Sequence, residues 1–85
     1  MTLLRDLRGI GPRSAQWLES VGIVTEADLE ALGAVEAYVR VKRAYPQRVS
    51  LNLLYGLQGA LLGIPWNMLP PEMKDELRRA VERAL

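Results

Sequence analysis

The residues whose types and spacing best suit binding chemistry lie in a short glycine-rich segment near the N-terminus of this 85-residue chain. Gly9 and Gly11 flank Ile10, and Pro12 follows at a position that suits the first turn of a helix. Glycines let the backbone approach another surface closely, and the next helix offers unpaired amides with a partial positive charge. Such a helix end is a ready phosphate site. The segment therefore predicts contact with a phosphate group.

Side chains beside this segment strengthen the prediction. Arg8 and Arg13 flank it, and the hydroxyl of Ser14 can donate to the same phosphate oxygen. The alternative is that Gly9-Ile10-Gly11 is only a tight connection, with Ile10 filling the core. A match to a short motif stays a hypothesis until its structural context is seen.

A second basic cluster lies between residues 37 and 48, where Tyr38 and Tyr45 alternate with four cationic side chains: Arg40, Lys42, Arg43 and Arg48. Arg40 and Arg43 share one face of a helix at i,i+3 and would extend a phosphate-contacting surface from the glycine segment. The interpretation we favour is a solvated helix side, pairing with the purely acidic stretch of residues 19–36.

Catalysis and metal binding are not expected. The chain has no histidine and no cysteine, so the commonest general base and the usual zinc ligands are missing. Ser14, Ser20 and Ser50 have no base near them in sequence. We expect no enzyme, no metal site and no cofactor.

Length and composition indicate one domain over residues 1–85, with 49% apolar and 25% charged residues. Asp6 and Arg8 interrupt the apolar run that a signal peptide needs, and the missing cysteines fit a reducing compartment, so we expect a cytoplasmic protein without membrane contact. The net charge of +1 is too small to predict a polyanionic partner by itself. The oligomeric state does not follow from the sequence.

Apolar spacing and capping residues predict an all-α fold, a compact bundle of five or six short helices. The predicted helices cover residues 2–8, 12–20, 25–32, 35–45, 51–62 and 71–85. Thr25 and Asp28 form a capping box, and Gly33 separates the third predicted helix from the fourth. The fifth helix is apolar nearly all round, and its interruption by polar residues and glycines favours the centre of a core over a membrane span.

Three glycines form a strip along that fifth helix: Gly56, Gly59 and Gly63. We expect the strip to pack against other parts of the same chain, with a dimer seam as the minority alternative. Gly63 also suits a helix C-cap. Trp17 and Trp66 would anchor an interface if exposed, although packing at the core or its rim is the commoner fate of such residues.

Residues 7–15 resemble the helix-hairpin-helix motif, in which a Gly-hydrophobic-Gly hairpin grips the DNA backbone without reading bases. Longer runs together resemble the C-terminal domain of the TfoX/Sxy family: LRGIGPRSAQWLESVGI from residue 7, TEADLEALGAVEAYVRVK from residue 25 and VSLNLLYGLQGALLGIPWNMLP from residue 49. The runs at 32–38 and 50–55 are the most distinctive. The resemblance implies a bacterial regulator of natural competence, thought to act as a transcriptional co-activator, whose domain opens with a helix-hairpin-helix-like element. In that family the domain usually follows an N-terminal domain, so we expect either a stand-alone member or an excised domain.

Two functional hypotheses follow. The first is a module that binds the DNA backbone without sequence preference, through Arg8, Gly9, Gly11, Arg13 and Ser14, with Arg40 and Arg43 as a second footprint. The second is a protein-interaction module that docks on a regulatory partner through Trp17, Trp66 or the acidic stretch, without touching DNA.

Overall fold

A computed structural model describes all residues from Met1 to Leu85 and contains four α-helices and no strand. The helices are α1 (Pro12–Ser20), α2 (Glu26–Ala44), α3 (Leu51–Leu62) and α4 (Pro71–Ala84). Two single 3-10 turns, Leu4–Asp6 and Trp66–Met68, complete the regular structure. The helical class is thus confirmed, and the number of helices is smaller than predicted.

The lower count has two local causes. Residues 26–44 count as one element, but Gly33, with a φ of 81° and a ψ of 163°, is not helical and interrupts it at the position where the sequence predicted a break. The predicted helix at 2–8 is reduced to the 3-10 turn Leu4–Asp6, which leaves too few residues for an α-helical turn. A complete helix-hairpin-helix element is therefore not confirmed, because only a 3-10 turn precedes the glycines.

Most predicted helix ends coincide with the caps that the structure shows. Pro12 and Pro71 occupy the first turns of α1 and α4, and Ser50 caps α3 by accepting a hydrogen bond from the Asn52 amide. Gly63 ends α3 with a left-handed φ of 73°. Such residues suit helix ends, where backbone groups have no partner within the helix.

The core is a single cluster of 16 buried residues to which all four helices contribute. α3 packs mainly against α2, and α4 lies across both through Leu77 and Val81. α3 is the most apolar of the four helices, as expected for the centre of a core. No helix combines the length and the apolar character that crossing a membrane requires.

The N-terminal segment is tied to the corner between α1 and α2. The Leu4 amide donates to the Val24 carbonyl at 2.9 Å, and the Glu26 amide donates to the Thr2 carbonyl at 2.8 Å. Leu3 and Thr25 form an isolated antiparallel bridge there. These contacts attach residues 2–4, which precede the glycine segment, to the corner between α1 and α2.

Candidate nucleic-acid interface

The glycine turn, residues Gly9–Gly11, presents its two glycines to solvent and its central residue to the core. Gly9 adopts a φ of 94°, a conformation that side chains disfavour, while Ile10 is only 6% exposed. Gly11 has an extended backbone and serves as the N-cap of α1. Ile10 fills the core, as the alternative interpretation predicted, and the same burial pushes the glycines outward.

The turn and the first turn of α1 contain a group of amides without a partner in the chain. The amides of Gly9, Gly11, Arg13 and Ser14 make no hydrogen bond, and no side chain caps α1. The first turn of α1 also lacks an acidic residue. Unpaired donors combined with the positive end of the helix dipole make this end suitable for an anion.

The turn contacts α3 at Gly56, and Gly59 of the same strip packs against the segment that follows α3. A Cβ atom on Gly56 would lie 3.4 Å from the Gly9 carbonyl oxygen, and one on Gly59 would lie 2.7 Å from the Ile64 carbonyl oxygen. Both glycines are buried. The expectation that Gly56 and Gly59 pack within the chain is confirmed, and α3 provides a rigid support for the turn.

Two adjoining clefts lie beside the turn. The larger, about 490 Å³, is lined by Arg13, Gln16, Trp17 and Arg48. The smaller, about 180 Å³, shares Trp17 and Arg48 with it and extends to Gly9, Ser14 and the start of α3. The structure therefore brings two arginines, an aromatic ring and the glycine turn to one surface.

Arg48 is the member of this surface that sequence reasoning did not select. The sequence places it in the basic cluster but beyond the Pro46 turn, and it was not among the residues predicted to bind phosphate. The helix ends at Tyr45, and the turn that begins at Pro46 redirects the chain, so that Arg48 reaches the clefts beside α1. The Tyr45-Pro46 step was the available signal for this change of direction.

The remaining predicted residues divide between other surfaces. Arg8 lines a different cleft of about 230 Å³, together with Glu26 and the C-terminal part of α3. Arg40 pairs with Glu36 at 3.1 Å, as the solvated-side interpretation expected for this run. Arg43 donates to the Ala84 carbonyl at 3.0 Å, so it caps α4.

Three arginines near the glycine turn differ from Arg40 and Arg43 in having side chains without a partner. The side chains of Arg8, Arg13 and Arg48 form no ion pair and no hydrogen bond within the chain, and all three residues are exposed. A guanidinium offers five donors in a planar fork that matches phosphate. These side chains are available to an external anion.

Another exposed surface is apolar. At the C-terminal end of α3 and in the following turn, Trp66 is 46% exposed and Met68 is 67% exposed, with Leu62 and Ile64 close in sequence and also exposed. The Lys74 ammonium lies over Trp66, 5.5 Å from the ring centroid. This apolar group is the structural feature that favours the second functional hypothesis.

Comparison with known proteins places the chain among proteins whose fold is known. The family model described as the TfoX C-terminal domain matches residues 1–81. A crystal structure of an uncharacterized protein from Listeria monocytogenes, in a triclinic form, has 32% identity and a TM-score of 0.87, covering 98% of this chain and 93% of that one. A protein of unknown function from Listeria monocytogenes, in a tetragonal form, has 33% identity and a TM-score of 0.85, covering 96% of this chain and 99% of that one. No curated protein matches.

Proposed function

Since the chain belongs to the family of TfoX C-terminal domains, we propose that it is a non-enzymatic regulatory module that binds the DNA backbone through the glycine turn. The family supports a role related to the regulation of natural competence. DNA is the proposed partner and the cytoplasm the proposed location. The chemistry of binding rests on the geometry of the turn.

The observation that carries the proposal is the coincidence of unpaired amides with unpaired arginines. The amides of Gly11, Arg13 and Ser14 have no partner at the N-terminus of α1, and Arg13 and Arg48 line the clefts beside it. Backbone amides and guanidinium groups are the usual donors to phosphate in DNA complexes. A phosphate seated on the turn would satisfy both sets.

Binding of this kind has a defined signature. Contacts to phosphate carry no sequence information, and each neutralised phosphate releases counterions. With a net charge of only +1, the chain offers a small basic surface, so affinity will be modest and strongly dependent on salt. Arg40 and Arg43, already engaged with Glu36 and Ala84, are left outside the footprint.

The test is a fluorescence-anisotropy titration of labelled duplex DNA at low and moderate salt. Wild-type protein is expected to bind more tightly at low salt, and Arg13→Glu is expected to abolish binding. Arg83→Glu is the matched control, because it makes the same charge change at an exposed, unpaired position on α4. Binding that survives Arg13→Glu, or is lost equally with Arg83→Glu, contradicts a site at the glycine turn.

The exposed apolar group supports a second candidate function, a protein-interaction module without direct DNA contact. Aromatic residues anchor many protein interfaces, and Trp66 is the aromatic residue of this group. If this candidate holds, Trp66→Ser will reduce activation in a transcription reporter while Arg13→Glu leaves it unchanged. The opposite pattern supports DNA binding.

A further inference from the structure

We infer that the cleft lined by Arg13, Gln16, Trp17 and Arg48 binds an unpaired nucleotide, so that the module prefers single-stranded to duplex DNA. The phosphate would lie at the glycine turn and the two arginines, and the base would stack on Trp17. This inference rests on the proposed function and specifies the form of DNA that the same surface takes.

The position of Trp17 links the two parts of such a ligand. Trp17 lines the larger cleft with Arg13 and Arg48, and it also lines the smaller cleft that reaches Gly9 and Ser14. A nucleotide with its phosphate on the turn therefore has an aromatic ring within the same continuous surface. Single-stranded DNA is held in this way in many proteins, by a basic groove and aromatic side chains that stack on bases.

Trp17 is held in place by its neighbours. Its ring packs against Tyr45, with centroids 6.0 Å apart and planes tilted by 36°. The Tyr45 hydroxyl donates to Ser20 Oγ at 2.9 Å, and the Ser20 hydroxyl donates to the Trp17 carbonyl at 2.7 Å. A ring that is already ordered loses little conformational entropy when a base stacks on it.

The charge at this cleft favours a nucleotide over a neutral ligand. Arg13 and Arg48 are unpaired, and no acidic residue lines the cleft. A neighbouring cleft along α1 contains Glu19, which pairs with Arg5, and the cleft beside Arg8 contains Glu26. Gln16 adds an amide that can donate to or accept from a base edge.

Duplex DNA cannot use the aromatic part of this surface. In a duplex the faces of the bases are covered by their neighbours, whereas an unpaired base offers a free π-face. Duplex contacts are then limited to phosphates, which single strands also provide. The preference for single strands follows from the stacking contact alone.

The experiment compares three labelled DNA probes of equal length: a thymidine oligonucleotide, the same chain with abasic sugars, and the thymidine strand annealed to its complement. The thymidine strand is expected to bind about tenfold more tightly than the abasic strand, because only the base can stack on Trp17. Trp17→Leu should bring both single strands to the same affinity, while Trp17→Phe retains part of the difference.

A second readout does not alter the cleft. Trp66→Phe removes the other tryptophan, which is exposed and distant in sequence, and leaves Trp17 as the only indole fluorophore. Thymidine strands are expected to quench its emission on binding, and abasic strands are expected to leave it nearly unchanged. This measurement stands even if Trp17→Leu fails to fold.

The outcomes separate this inference from the proposed function. Equal affinity for thymidine and abasic strands, absence of quenching, or tighter binding of the duplex overturns the inference. If such binding is still lost in Arg13→Glu, the phosphate grip at the glycine turn stands. Failure to bind any of the three probes at low salt overturns both.

Discussion

The first two helices begin in opposite ways, although each follows a tight turn and each lies near the surface. At α1, Gly11 provides no capping side chain, and the amides of Arg13 and Ser14 remain without partners. At α2, the Thr25 hydroxyl accepts from the Asp28 amide at 3.1 Å, and the Asp28 carboxylate accepts from the amides of Val24 and Thr25 at 3.0 and 3.1 Å.

The start of α2 is therefore closed by its own side chains, whereas the start of α1 keeps the unpaired amides on which the proposed function depends. The backbone bonds from Val24 and Thr25 lower the pKa of Asp28, so that a fixed negative charge sits at the start of α2. The equivalent place at α1 carries no acidic residue and is flanked by arginines. An anion from outside can thus occupy the place that Asp28 fills at α2.

The largest expected effect comes from capping the uncapped N-terminus of α1. Gly11→Asp places a capping carboxylate at the N-cap of α1, where it accepts from the amides of Arg13 or Ser14. We expect DNA affinity to fall by more than about tenfold, while stability rises by about 0.5 kcal/mol. Anisotropy titration and thermal unfolding measure the two effects.

Gly11→Asn is the matched control for this change, because it caps the helix without adding a charge. An intermediate loss of affinity with Asn is expected if occupation of the amides matters in itself. Full affinity in both variants would mean that the amides of α1 do not contact DNA. The extended backbone of Gly11 and the open space around it allow either side chain without a clash.

The next effect compares an unpaired arginine beside the start of α1 with a paired arginine on α2. Arg48→Ala removes an unpaired guanidinium from the cleft beside α1, whereas Arg40→Ala removes one that is paired with Glu36 on α2. For duplex DNA, the slope of log affinity against log salt should become less negative by about 0.9 in Arg48→Ala, the value for one lost phosphate contact. Arg40→Ala should leave that slope as in the wild type. Equal slopes in both variants would disconnect Arg48 from the footprint.

Removing the cap of α2 should lower stability and leave DNA affinity unchanged. Thr25→Ala removes one bond of the capping box and is expected to lower the free energy of unfolding by about 1 kcal/mol. Denaturant titration measures this loss, and Thr25→Ser is the control that restores the hydroxyl. DNA affinity of the folded variant should be unchanged, and a loss of affinity would show that the two helix ends are coupled.

The smallest effect is a dependence of stability on pH. The pKa of Asp28 is lower in the folded chain than in the unfolded one. The carboxylate therefore contributes fully to the free energy of unfolding above the unfolded pKa of about 3.9, and this contribution is lost as pH falls through the folded pKa. The free energies of unfolding of wild type and Asp28→Asn should therefore become similar in acid and differ at neutral pH. A constant difference at all pH values would contradict this role for the carboxylate.

The sequence predicts the local features of this fold well, because caps and turns depend on neighbouring residues. Thr25 with Asp28, Ser50 and Gly63 end or begin helices where expected. The count of five or six helices is not confirmed, because residues 2–8 form only a 3-10 turn and the helical stretches on either side of the non-helical Gly33 count as one element.

The candidate site was predictable only in part, for a related reason. Gly9, Gly11 and Arg13 are close in sequence, so the local pattern is enough to group them. Arg48 joins them through the turn after Tyr45, which Pro46 signals, and through the packing of α3, which no local pattern specifies. Ile10 shows that the binding and connecting interpretations of the turn do not compete, since its burial serves the core while its neighbours face solvent.

The burial of Ile10 has a consequence for the time scale on which the turn moves. The Ile10 amide donates to the Leu7 carbonyl at 3.2 Å, and its side chain is anchored among core residues. The amide hydrogen of Ile10 should exchange with solvent only when the domain opens, while the amide hydrogens of Gly9 and Gly11, which have no partner, exchange rapidly. Within three consecutive residues, slow and fast exchange would then alternate, and a bound phosphate would slow the two glycines alone.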